Sequence, residues 1–388
     1  MQRMPIAQRP HWKARAYEFG FTFHTLYGEP YWREDAYYAF TLDQIENDIE
    51  APTAELHQMC LAAVEEVIKS EELLTRFCIP PAHWNLIAES WRKQDPSLYS
   101  RLDLAYTGTG PAKLLENNAD TPTSLYETGF WQWLWLEDQL AAGLLSPGTD
   151  QFNLVQEKLI ARFGQLKNRF PDFTLHLSCC KNSTEDRGTV QYLADCASEA
   201  GINNEFVFIE DIGISDNQKF TDITNNEINW LFKLYPWEFM LNEAFAEYIA
   251  ASKTQWLEPP WKAIISNKAI LPLLWKLFPN HPNLLPAFFE NDKNAHFSGR
   301  YVKKPIFARE GANISIWHGE QAIHSSCGPY GEEGFILQGY TPLPEFNGRH
   351  ALVGSWLIDG EACGVSIRED SSPITQNSSA YLPHIIKP

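Results

Sequence analysis

Residues 101–118 read Arg101-Leu-Asp103-Leu-Ala-Tyr106, a turn Thr107-Gly-Thr-Gly110, and then Ala112-Lys-Leu-Leu-Glu116-Asn-Asn118. Leu102, Leu104 and Tyr106 alternate with Arg101, Asp103 and Ala105. The second segment keeps the same period of two. Such alternation on both sides of a glycine-containing turn predicts a β-hairpin. Side chains two apart on a strand share a face, so Arg101 lies with Asp103, and Glu116 with Asn118. If the strands pair, four polar groups converge. Asp103, Glu116 and Asn118 offer hard oxygen donors suited to Mg²⁺ held together with phosphates. Arg101 adds a fixed positive charge for a phosphoryl group. A solvent-facing strand pair with a cross-strand ion pair would give the same alternation.

Outward from the hairpin, the apolar period changes. Residues 41–77 carry Leu56, Met59, Leu61, Val64 and Val67 at helical spacing, with Pro52 as a candidate break. Helices are also expected over 83–92, 123–145 and 151–169. A strand at 173–179, a helix at 184–200 and a strand at 205–210 suggest a parallel α/β unit. A segment rich in Pro and Trp runs over 235–275. Strands follow at 301–307, 313–318, 334–340, 351–358 and 361–367. The expected fold class is α/β (α+β), with an antiparallel, glycine-punctuated sheet toward the C-terminus. That arrangement suits an enzyme with a nucleotide-covering lobe.

Composition narrows the function. The 388 residues include 44% hydrophobic side chains, enough for a large core, so disorder and a disulfide-stapled miniprotein are excluded. Lys and Arg total 31 against 49 Asp and Glu, a net charge of −18. That balance argues against coating nucleic acid or an anionic membrane. No apolar run approaches the roughly 20 residues of a membrane span. No secretory signal is read at the N-terminus. Seven scattered cysteines with no CxxC pair point to a reduced, cytoplasmic protein. Cys179 and Cys180 read as small buried hydrophobes.

Four other segments could carry chemistry. Lys303-Lys304-Pro-Ile-Phe-Ala-Arg309-Glu310-Gly311 runs from a strand into a short loop whose backbone N–H groups could cover phosphates. A solvated hairpin reads the same way, and no Walker loop is present. Lys268 lies in an apolar stretch, where it must snorkel or meet an anion. Arg368 near a strand end could face a phosphoryl group or an exposed turn. Glu185 and Asp186 follow a strand; they suit a helix N-terminus or a cationic polyamine. His318 and His324 lack a ligand set, and no GxSxG elbow occurs.

Taken together, PTAELHQMCL, IAESWRKQDPSLYSRLDLAYTG, KLLENNADTPTSLYE, KLYPWEFM, SNKAILPLLWKLFP, YVKKPIFAREGANISI and SIREDSSPIT resemble the glutathionylspermidine synthase family, near its stand-alone bacterial acid–amine ligases. The resemblance covers essentially the whole chain. It implies an ATP-grasp ligase with a circularly rearranged chain order and a helical N-terminal part. The implied division is a single unit over 1–388, with lobes at 1–98 (helical), 99–235 (hairpin and α/β substrate lobe) and 236–388 (nucleotide lobe with a lid). The amidase domain of bifunctional members is not expected.

By position, the resemblance implies that Asp103, Glu116 and Asn118 hold Mg²⁺, two ions in all. Arg101 and Arg368 would steady the transferring phosphoryl group. Lys268, Lys304, Glu310, Gly311, Gln338 and Ile374 would contact ATP. Thr121 and Thr123 fall near the thiol-tripeptide site, where serines are expected, and Glu185 with Asp186 near the polyamine site. The implied activity is ATP- and Mg²⁺-dependent joining of a carboxylate, such as glutathione, to an amine, such as a polyamine, through an acyl phosphate. The 301–318 segment would be the lid. A regulatory nucleotide-binding protein on a ligase fold, with little catalysis, is the alternative; a generic phosphotransferase is a third.

Overall fold

The computed structural model describes every residue except Tyr27. The hairpin forms as its alternation predicts. Tyr99–Ala105 pairs antiparallel with Lys113–Asn118, placing Arg101 opposite Asn118 and Asp103 opposite Glu116. Leu102 and Leu104 point into the core, where both are fully buried. A register shift between Asp103 and Leu104 marks a bulge, a device that re-aims side chains.

The hairpin is one edge of a six-stranded sheet. Tyr99–Ala105 pairs with Arg349–Ile358, which pairs with Glu361–Asp370 and, through it, Ala380–Leu382. Glu345–Phe346 completes the sheet. The sheet therefore joins strands from 99–118 to strands from 345–382, across the expected boundary at 235. The helix Ala51–Val67 packs on the sheet's apolar side, burying Leu56, Cys60 and Val64 in one core with Val353, Leu357 and Ile367. Each such side chain contributes about 1.5–3 kcal/mol. Thr53 Oγ1 donates to Ser355 Oγ at 2.8 Å and fixes the helix on the strand.

Pro52 does not break this helix. It stands in the first α-helical turn, after π-helical turns over Gln44–Glu50, where a missing N–H is tolerated. The break comes at Ser70, whose hydroxyl accepts the Leu73 N–H at 3.2 Å and caps Glu71–Arg76. Helical character expected over 1–98 begins only at Gln44, apart from the short helix Trp12–Glu18. Before that, Gln2–Pro5 and Ala36–Phe40 are strands, in a three-stranded sheet with His384–Ile386. The run Ala36-Tyr-Tyr-Ala-Phe40 is aromatic and favours a pleated surface.

The parallel unit is present. Thr174–Cys179 leads through the helix Thr184–Glu199 to Asn203–Phe206, which lies parallel to it. Trp230–Leu234 and Gln255–Leu257 extend this sheet to four parallel strands. Trp230-Leu-Phe-Lys-Leu234 has the near-continuous apolar run of a strand covered on both faces. The C-terminal strands fall into two sheets rather than one. Ala287–Phe289, Arg300–Pro305, Ser315–His318, Gln321–Ser325 and Phe335–Gly339 form a separate five-stranded antiparallel sheet. Among the described residues, no helix is long and apolar enough to cross a membrane.

Candidate active site

Residues of all three large sheets line one cavity of about 310 Å³. It gathers Arg101, Asp103, Glu116, Asn118, Thr121, Thr123, Asp186, Lys304, Glu310, Gly311, Gln338, Arg368 and Ile374. Lys268 and Glu185 stand behind the wall: Lys268 touches Glu116, and Glu185 lies near Tyr31. One wall is apolar, formed by the cluster of Leu115, Leu343 and Leu352. Cys179 is buried as expected, whereas Cys180 lines the cavity.

The hairpin arranges the charges. Arg101 donates to Asp103 twice, Nε to Oδ1 at 2.6 Å and Nη2 to Oδ2 at 3.0 Å, and to the Thr123 carbonyl at 3.0 Å. Asn118 Nδ2 bridges the carboxylates, 3.1 Å from Asp103 Oδ2 and 3.1 Å from Glu116 Oε1. Lys268 Nζ lies 2.7 Å from Glu116 Oε2 and donates to the Ala308 carbonyl at 2.5 Å. Lys304 Nζ donates to the Leu115 carbonyl at 2.9 Å and to Gln338 Oε1 at 2.7 Å. Gln338 Nε2 in turn holds the Leu114 carbonyl at 3.0 Å. Lys304 thus ties the five-stranded sheet to the hairpin.

Burial pushes the Lys304 ammonium down to about 8, against the opposing charge of Glu116. Burial resists ionisation of Glu116, but Lys268 and Lys304 overcome it and hold that carboxyl well below its usual range. Arg368 Nη2 donates to the carbonyls of Gln376 and Asn377, both at 2.8 Å, while among the described residues its buried Nε has no partner.

Glycine at 354 lets Arg101 lie against the sheet, 5.6 Å from the Trp356 ring. A Cβ at Gly354 would come 2.8 Å from Arg101 Cδ and would also strike Ser366 Oγ. Gly354→Ala is expected to displace the guanidinium, lowering turnover about 10- to 100-fold with about 1–3 kcal/mol lost from overpacking. Turnover and melting temperature measured together check this; unchanged turnover would show that Arg101 placement is not limiting.

The 306–314 connection borders the cavity through Arg309, Glu310, Gly311 and Ile314. Glu310 and Gly311 both have left-handed φ, 53° and 73°. A Cβ at Gly311 would run into the Thr375 carbonyl, so glycine allows this loop to lie against Ile374 and Thr375. Arg309 reaches from the loop to Glu238 Oε1 at 2.9 Å and to the Thr121 hydroxyl. This arginine belongs to the segment read as a candidate loop, but the sequence assigns it no role, although it directly precedes Glu310. Glu127 and Tyr31 were missed as well. The Tyr31 hydroxyl donates to Glu127 Oε1 at 2.6 Å and lies 3.3 Å from Glu185 Oε1.

The three-sheet architecture around one charged cavity is that of the glutathione synthetase-like ATP-grasp class. A glutathione synthetase-like effector from Globodera pallida, solved in its apo form, matches with a TM-score of 0.53 at 13% identity, covering 90% of this chain and 88% of that one. The chain belongs to the family described as glutathionylspermidine synthase preATP-grasp, whose model matches residues 3–387. A relative from Haemophilus influenzae named "Putative acid--amine ligase" is 39% identical over 393 residues, covering 98% of both chains. The bifunctional glutathionylspermidine synthetase/amidase of Escherichia coli is 26% identical over 380 residues, or 91% of this chain and 60% of that protein. These relatives are named as ligases and synthetases, and a ligase is the class in which this chain stands.

Proposed function

We propose that this protein is an ATP- and Mg²⁺-dependent ligase that joins a carboxylate to an amine through an acyl phosphate. The observation that carries this reading is the meeting of Arg101, Asp103, Glu116, Asn118, Lys304, Glu310, Gly311 and Arg368 on one cavity. Among the described residues, no group of three or more His, Cys, Asp or Glu side chains is placed to hold a metal by itself. The donor set still fits Mg²⁺, which keeps few protein ligands and takes the rest from phosphates and water. Asp103 and Glu116 sit opposite each other, and each already faces a cation, Arg101 or Lys268. Asp103, Glu116 and Asn118 would hold the metal, two ions in the full complex. When bound, it neutralises phosphate charge.

Lys268 and Lys304 supply further positive charge from the wall. Arg101 and Arg368 are placed for the transferring phosphoryl group, whose transfer depends on positioning and charge rather than on a protein nucleophile. The apolar wall at Leu115, Leu343 and Leu352, with Ile374 and the Gln338 strand, suits an adenine ring. A carboxylate oxygen attacks the γ-phosphorus and ADP leaves. The amine nitrogen then attacks the acyl carbon, and phosphate departs carrying the former carboxylate oxygen. Glu310 and Gly311 keep water from the acyl phosphate. Thr121 and Thr123 border the acid, and Glu185 and Asp186 attract the amine. Glutathione and a polyamine are the pair suggested by the relatives' names. The interleaving of 99–118 with 345–382 in one sheet supports a circularly rearranged chain order.

The test combines Mg·ATP with glutathione, other short peptides, spermidine and amino acids, followed by mass spectrometry. The expected result is a new amide with one ADP per amide. Tight ATP binding with neither product across the panel would favour a regulatory nucleotide-binding protein instead.

A further inference from the structure

Behind the amine side of the cavity lies a buried acid that substrate contact does not use. Glu127 is fully buried, and among the described residues its Oε2 has no hydrogen-bond partner. The Tyr31 hydroxyl, itself buried, lies 2.6 Å from Glu127 Oε1, 3.3 Å from Glu185 Oε1 and 3.0 Å from Ser124 Oγ. The hydroxyl has one hydrogen for two carboxylates. Two buried carboxylates sharing one donor do not both ionise readily. Burial first, then the charge of Glu185, push Glu127 up to about 8. Burial also raises Glu185, and burial with Glu185 raises Asp186, on the cavity wall, to about 7. The other groups facing Glu127 are Tyr126 and Tyr381, both held neutral by burial, and the cation Arg368.

We propose that Glu127 is a positioning residue for the amine: it holds one proton, shared with Glu185 through the Tyr31 hydroxyl, and releases it when a cationic amine seats against Asp186. This rests on the amine reading of that end of the cavity. The O–H bond of the acid breaks and its proton passes to solvent, which leaves the ionised pair behind Asp186, the carboxylate that faces the ammonium. Before attack an ammonium N–H bond must break. Asp186, on the cavity wall, takes that proton, leaving a neutral amine whose lone pair forms the C–N bond. The second N–H proton departs with phosphate. A group that titrates near neutrality suits such an exchange.

Two measurements test the proposal. In a potentiometric titration without ligand, the wild type is expected to take up about one proton more than Glu127→Gln between about pH 9.5 and 6.5. Identical curves would overturn it. Calorimetry with spermidine in buffers of different ionisation heat then counts protons at pH 7. The wild type is expected to release about one proton more per spermidine than Glu127→Gln. Spermidine binding with equal proton counts would overturn the coupling. An extra proton in the wild type with no spermidine binding would contradict the amine reading and the release step, while leaving the shared proton standing. Should Glu127→Gln not fold, Tyr31→Phe carries the test. Loss of the donated hydrogen bond is expected to raise the Glu127 midpoint, and an unmoved midpoint would overturn the sharing.

Discussion

Replacing Glu116 with glutamine is expected to lower turnover by about 10²- to 10³-fold while leaving a folded protein. Glu116 lies opposite Asp103, and Lys268 and Lys304 outweigh burial to keep it ionised throughout the working pH range. Glutamine retains the volume and an oxygen to accept from Asn118 Nδ2. It removes the charge that faces Lys268 at 2.7 Å. Breaking a fully buried pair costs about 3–5 kcal/mol; the Glu116 side chain is 23% exposed, so the loss should be smaller. Alanine would also strip Asn118 of an acceptor and is the poorer test. Phosphate-dependent steps should suffer far more than the fold, which ADP release and thermal melts read separately. Full turnover by a folded Glu116→Gln protein would remove the proposed metal set.

Lys304→Met should separate activity from stability more widely. Lys304 is 5% exposed and, among the described residues, forms no ion pair; its partners are a carbonyl and an amide. Methionine is close in volume and removes a buried charge, so the melting temperature should stay level or rise. The kcat/KM for ATP should fall by about 10²- to 10³-fold. The pH dependence has a definite sign. Between about 8 and the ordinary value of 10.5, the unfolded chain holds more of this proton than the native chain does. The group's contribution to stability therefore rises with pH across that window, and its penalty is complete below it. Activity moves the other way: the KM for ATP should rise above pH 8 as the ammonium is lost. A pH-independent KM together with unchanged Lys304→Met kinetics would take Lys304 out of the nucleotide site.

The hairpin was legible because its information is local. Period-two alternation around one turn fixed which face held Arg101, Asp103, Glu116 and Asn118, and the register then brought them together. The parallel unit at 174–206 was legible for the same reason. Taken alone, Lys268 reads as a snorkelling lysine and Lys304 as a hairpin lysine, because their partners lie on elements distant in the sequence. The first strands were hidden because Ala36–Phe40 finds one of its neighbours at His384–Ile386. The Tyr31 hydroxyl, from a loop, meets Glu127 and Glu185 from two helices, a relation that no spacing rule encodes. The whole-chain resemblance supplied what local pattern could not: the expectation that the separated lysines, the hairpin and Arg368 belong to one site.

The central claim is the acyl phosphate, and oxygen transfer tests it most directly. A carboxylate substrate labelled with ¹⁸O should be incubated with Mg·ATP and the amine, and the released phosphate analysed by mass spectrometry. One labelled oxygen should appear in phosphate for every amide formed, with ADP in equal amount. An amide formed without label in phosphate, or with label in AMP, would contradict the account.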